Sequence, residues 1–291
     1  MRIVPALALA FGAVLPLADV EDARAPEGPW AMDTAPLSAC PLLTPRNGIA
    51  YHGGSVLLGT PSAYFIWYGD WTGRRTPALL TELARSLGGS RWWAINTTYR
   101  DARGNHVSGS ASFGESAIDA YSRGQSIGDA DLPRIVGAAV AKGALPLDDE
   151  GVYFILSSRD VDETSGFCTR YCGFHSHARV GIANLRYAFV GDSMRCPSAC
   201  APQAVSPNGD LAADGMASIL AHEWSEAVTD PDGDGWYDDR GLENADKCAW
   251  TYGDTFVAKN GALANVHLGG RDWLIQQNWV NEGGGGCQLG R

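Results

Sequence analysis

The chain has 291 residues, 33 Asp and Glu against 22 Lys and Arg, a formal net charge of −11 and 45% apolar residues. That acidity repels phosphate backbones and so excludes a nucleic-acid partner. The apolar fraction and 10 Trp suffice for one large core, and the 36 Gly point to many turns.

Residues 1–25 are predicted to be a secretory signal peptide: Arg2 precedes the apolar run IVPALALAFGAVLPL at 3–17, which is short for a membrane span. No other stretch is long and apolar enough to cross a bilayer, so the expectation is an exported, extracellular protein without a membrane span. Residues 26–48, rich in Pro and Ala, read as a loose N-terminal arm, and 49–291 as one domain. Strands are expected at 55–58 and 63–68, then helices at 77–87 and 90–99. Leu79, Leu80, Leu83 and Leu87 give the first helix an apolar face. A strand interrupted by Gly is expected at 110–121, a short helix at 132–142, and strands at 151–157 (GVYFILS) and 186–190. Segments 255–258, 264–268 and 273–280 suggest a closing hairpin or small sheet. Helices alternating with apolar strands indicate an α/β (α+β) fold with a mixed sheet packed on helices.

Seven cysteines stand at 40, 168, 172, 196, 200, 248 and 287. Cys168, Cys172, Cys196 and Cys200, with His175 and His177, could hold zinc. In an oxidising compartment two disulfides among the four are the better expectation, with Cys248–Cys287 a third and Cys40 left over.

The chemistry concentrates in residues 210–246. In HEWSE, 222–226, His222 and Glu226 are four apart and share one helical face. Zinc hydrolases take two ligands from one helix in this way, with the residue after the first His, here Glu223, as general base. Met216, Ile219, Leu220 and Ala221 supply an apolar stripe to bury the helix, and Pro231 and Gly233 end it. A Glu in place of the usual second His is a legitimate zinc ligand, but it weakens Lewis acidity and favours oxygen-preferring ions. A surface helix with these side chains in solvent is the competing reading. Glu243 and Asp246 supply a third ligand and a carboxylate orienting the first His, in either assignment. A calcium loop is a second metal candidate, with Asp230, Asp232, Asp234 and Asp238 alternating with Gly, although the Glu that closes an EF-hand loop is absent. Oxyanion donors are sought among Tyr171, His175, His177 and Tyr252. The aromatics of FIWYGDW and RWW suit a core; a sugar-stacking platform of Trp67, Trp71, Trp92 and Trp93 is the sharper alternative.

The ordered stretches YHGGSVLLG (51–59), FIWYGDW (65–71), GVYFILSSRDV (151–161), FCTRYCGFH (167–175), DGMASILAHEWSEAVTDP (214–231) and ENADKCAWTYG (243–253) resemble the EXORDIUM, or phosphate-induced protein, family of secreted plant proteins and their microbial relatives. The resemblance implies an extracellular or wall-associated protein and places His222, Glu223 and Glu226 on the family's HExxE segment. Glu243, Asp246 and Cys248 fall on its acidic-Cys segment, whereas Asp232 and Asp234 match nothing in it. Three function classes follow. The first is a zincin-like zinc metallopeptidase acting on extracellular peptides. The second is a non-catalytic extracellular binding or signalling protein of that fold, and the third a cell-wall polysaccharide binder or hydrolase. A glycosidase needs two carboxylates across a cleft, whereas these acids cluster on one segment with a His, which favours metal chemistry.

Overall fold

A computed structural model describes residues 48–291; the expected signal peptide, nearly all of the arm and Cys40 lie outside the described residues. Strands β1 (Ser62–Tyr68), β2 (Ser112–Asp119), β3 (Gly151–Ser157), β4 (Gly173–Val180) and β5 (Ala183–Gly191) form one sheet in the order β2-β1-β3-β5-β4. The first four in that order run parallel; β4 lies antiparallel to β5 at the edge. The central strand β3 is buried along its whole length, as a strand covered on both faces must be.

Helices α1 (Thr76–Leu87) and α3 (Leu211–Thr229) pack together on one face, and α2 (Leu132–Ala141) covers the other. Phe154 of β3 points at α3, its ring centroid 6.1 Å from that of Trp224, which in turn lies 4.9 Å from Trp93. Tyr153, one residue earlier, points the opposite way, and its hydroxyl donates to the Pro146 carbonyl beyond α2. The architecture is therefore mixed α+β, with helices on both faces of a mixed sheet. Trp92 and Trp93 belong to the core, at 2% and 0% exposure, rather than to a surface platform.

Helix α3 starts where Asp210 caps it, accepting the Ala213 N–H at 3.1 Å while its second oxygen accepts the Thr76 hydroxyl at 2.8 Å. One carboxylate thus ties the starts of α1 and α3 together. The helix ends at Thr229, just before Pro231. Beyond it, Leu57 N–H donates to the Val228 carbonyl. That bond accounts for the missing strand at 55–58: this segment satisfies the C-terminus of α3 rather than a neighbouring strand. The helix expected over 90–99 contracts to a 3₁₀ turn, Trp93–Thr98. The 110–121 segment does form β2, with an irregular register opposite Ala63 and Phe65, where any Cβ on Gly114 would strike the Tyr64 ring. The C-terminal segments form short two-stranded ladders.

Three disulfides close the fold: Cys168–Cys196, Cys172–Cys200 and Cys248–Cys287. The first two staple the approach to β4 to the helical turn Pro197–Cys200; the third ties the chain end to the segment carrying Glu243 and Asp246. With all four central cysteines oxidised in pairs, the thiolate zinc set does not form.

The layer contact predicts that Phe154→Ala costs about 3–5 kcal/mol, from lost transfer energy and a cavity beneath Trp224. Urea unfolding measures it; a cost below about 1 kcal/mol would show that the β3–α3 contact is not central to stability.

Candidate metal centre

Every residue of α3 from Ala212 to Thr229 is buried. His222, Glu223 and Glu226 are 2%, 2% and 3% exposed, so the HEWSE segment does not lie on a surface helix. Gly173 of β4 explains part of this close packing. A Cβ there would stand 2.5 Å from Ile219 Cγ2 and 3.1 Å from Glu223 Oε1, so only glycine lets α3 approach the edge strand.

Around Glu226 the chain gathers two sets of ligand atoms, each set within 4.8 Å: His222, Glu226 and Asp246, and His175, Glu226 and Glu243. His222 Nε2 lies 3.1 Å from Glu226 Oε1 and 3.4 Å from Asp246 Oδ1. On the other side His175 Nε2 lies 2.8 Å from Glu243 Oε2 and 3.9 Å from Glu226 Oε2. The structure thus brings together the four expected ligands, His222, Glu226, Glu243 and Asp246, but splits Glu243 from Asp246. These two, three residues apart, reach opposite sides of Glu226.

Sequence reasoning missed two contributors. Gln276 Oε1 accepts the Trp250 N–H at 3.0 Å and lies 3.2 Å from His222 Nδ1. An amide oxygen so fixed can only accept from His222, so Nδ1 carries a proton and Nε2 is the nitrogen facing Glu226 and Asp246, donating to them when protonated and available as a ligand when that proton leaves. The orienting role expected of a carboxylate therefore falls to Gln276. The other is His175, considered only as a partner for cysteines or an oxyanion. The alternating GFHSHARV was the available signal for its strand.

The segment is held rigidly. Asp246 N–H donates to Glu226 Oε1 at 2.9 Å and Glu243 N–H to Asp246 Oδ2 at 3.3 Å. Between them, Asn244 is fastened to the Ser225 carbonyl, and the Ser225 hydroxyl donates to Asn96 Oδ1 at 2.6 Å.

The calcium-loop carboxylates do not converge. Asp232 pairs with Arg186 at 3.0 Å, Asp238 with Lys247 at 3.2 Å, and Asp234 is exposed. Asp230 turns inward: Oδ1 accepts the Gly235 N–H and Oδ2 is buried without a hydrogen-bond partner. Tyr171 is engaged with Glu163, and His177 faces Asn184 and Asp232, so neither is set at the cluster. Tyr252 is half-buried, and burial raises its hydroxyl pKa.

Electrostatically the cluster is under-neutralised. Among the described residues, the ion pairs of Glu226, Glu243 and Asp246 are with His175 and His222 alone. Burial pushes the Glu223 carboxyl up to about 8, with His222 opposing and Glu226 adding to the rise. Burial first and Asp246 second raise Glu226; burial and Glu226 raise Glu243 well above the usual carboxylate range. For His222 burial alone would lower the pKa, but Glu226, Asp246 and Glu223 overcome it and raise it well above normal. Buried like charges of this kind either hold protons or hold a cation. With Glu243 Oε1 also buried and unpartnered, the donor set fits a divalent ion.

The conserved region of phosphate-induced protein 1 matches residues 49–272. The chain belongs to the EXORDIUM and phosphate-induced protein family. It is 32% identical over 271 residues to EXORDIUM-like 3 of Arabidopsis thaliana, covering 79% of this chain and 80% of that protein. EXORDIUM-like 5 of the same plant is 31% identical over 274 residues, covering 79% of this chain and 75% of its own length. PHOSPHATE-INDUCED 1 of Nicotiana tabacum is 28% identical over 275 residues, covering 79% and 85%. No solved structure matches the chain.

The pKa shifts fix a pH dependence for the metal-free protein. Glu223, Glu226, Glu243 and His222 all bind protons more tightly folded than at their ordinary values of 4.5 and 6.5. Their contribution is present below those values and lost as pH rises through the folded ones, so the Tm of chelator-treated protein falls between about pH 5 and pH 8. Differential scanning calorimetry checks this; a Tm that rises across that window contradicts it.

Proposed function

We propose that the protein is an exported, zinc-dependent hydrolase of peptide or related amide bonds, zincin-like in its use of the HEWSE helix. The observation that carries the reading is a buried His222–Glu226–Asp246 ligand set with Glu223 on the same helix. His222 Nε2, Glu226 and Asp246 would hold the ion, and Gln276 keeps His222 in the tautomer that leaves Nε2 free. Zinc supplies Lewis-acid polarisation of the scissile carbonyl and a lowered pKa for water.

Glu223 takes the proton of the attacking water on its carboxylate and returns it to the leaving amine nitrogen. A carboxyl pushed up toward neutrality by burial is suited to both halves of that transfer. Asp246, whose side chain is 12% exposed, is the ligand nearest solvent. Export is supported by the apolar run at 3–17 and by three disulfides, which persist in oxidising compartments.

The depth of burial favours a second reading. A centre this enclosed could brace the fold of a non-catalytic extracellular or wall-associated binding protein, as structural zinc sites do.

Glu223→Gln separates the two. Under the hydrolase reading it keeps its zinc by elemental analysis and loses about 10²–10⁴-fold in turnover of a fluorogenic peptide library. Unchanged turnover removes Glu223 as the base, and zinc-loaded wild-type protein without turnover supports the bracing role.

A further inference from the structure

We propose that the centre is built for two divalent cations bridged by the carboxylate of Glu226. The second position is formed by His175 of β4 and Glu243. This rests on the reading of His222, Glu226 and Asp246 as the first position and extends it.

Three observations carry the inference. First, the two oxygens of Glu226 face different partners. Oε1 is set toward His222 Nε2 at 3.1 Å, and Oε2 toward His175 Nε2 at 3.9 Å. A carboxylate presented to two imidazoles in this way is the bridging element of two-metal sites, whose ions stand about 3.5–4 Å apart.

Second, the remaining carboxylates divide evenly, Asp246 to the His222 side and Glu243 to the His175 side, so that each position has one imidazole and two carboxylates. Side chains three residues apart need not separate in this way. Here the chain between them is fixed by Asn244 against Ser225 and by the Asp246 N–H on Glu226.

Third, the His175 side holds polar atoms that nothing in the fold uses. Glu243, 1% exposed, has its Oε1 buried without a partner, and His175 Nδ1 is likewise buried and unpartnered. A single divalent ion on the His222 side leaves Glu243 Oε1 buried without a partner, where buried carboxylate oxygens are ordinarily paired. A second ion between His175, Glu226 and Glu243 supplies that partner. The oxygen-rich donor set, with one nitrogen per position, admits Mn²⁺ as well as Zn²⁺.

The test loads the whole protein with Mn²⁺ or Zn²⁺ after chelation, counts metal per chain by mass spectrometry, and records the Mn²⁺ electron paramagnetic resonance spectrum. Two equivalents and an exchange-coupled manganese signal are expected. Glu243→Gln, which keeps the side-chain volume, and His175→Ala should each retain one equivalent and give the uncoupled six-line signal. His222→Ala should also lose one equivalent. Native circular dichroism in Glu243→Gln guards against loss through misfolding.

One equivalent in the wild type, kept in Glu243→Gln and lost in His222→Ala, overturns the second position and leaves the first standing. One equivalent kept in His222→Ala and lost in His175→Ala overturns both the pair and the first position. No bound metal in the wild type overturns the pair together with the reading on which it rests.

Discussion

Glu226 is the side chain on which the centre depends. It sits 3% exposed in the last turn of α3, within reach of two imidazoles and beside two further carboxylates. Burying one carboxylate beside others is expensive, because desolvation and mutual repulsion act in the same direction. The fold tolerates the arrangement only if protons or cations compensate it. Glycine at 173, the Asn244 anchor and the Cys248–Cys287 bridge all bring acidic or coordinating groups closer together.

The scaffold explains how these groups stay in place. The sheet fixes the height of β4, and with it His175, against α3 through paired contacts from Gly173 to Val180 along β5. On the other side of α3, Ser225 is locked into a buried amide network with Asn96, Asn244 and Asn278. Such a fully buried network specifies the rotation of the helix, since turning it would strand several polar groups at once. Rotation of α3 is what aims His222 and Glu226 at the Glu243–Asp246 segment. The fold's polar core and its candidate metal centre are therefore one mechanical unit.

Much of this was legible from local patterns. The four-residue spacing of His222 and Glu226, the buried run GVYFILS and the leucine face of α1 depend on near neighbours in sequence, and the Cys248–Cys287 pairing, 39 residues apart, on there being few cysteines to choose among. Each survives in the folded protein. The segment 55–58 has strand-like residues, but its backbone answers to the end of α3, a partner some 170 positions away. Gln276 looked like one more residue of a C-terminal strand; only the approach of Trp250 and His222 gives its amide a role. His175 was obscured by its cysteine neighbours, whose pairing into disulfides released it to the carboxylates. Whether Glu243 and Asp246 act together or apart depends on the path of two intervening residues, which spacing does not encode.

The central claim is that the carboxylates around Glu226 are assembled to hold a metal ion. Anomalous X-ray scattering at the zinc absorption edge, from crystals of the zinc-loaded protein, tests it most directly. The account predicts a strong anomalous peak about 2.0–2.2 Å from His222 Nε2 and from the Glu226 carboxylate. Crystals with no anomalous signal in this cluster, and with His222 bonded directly to protonated or water-bridged carboxylates, would contradict it.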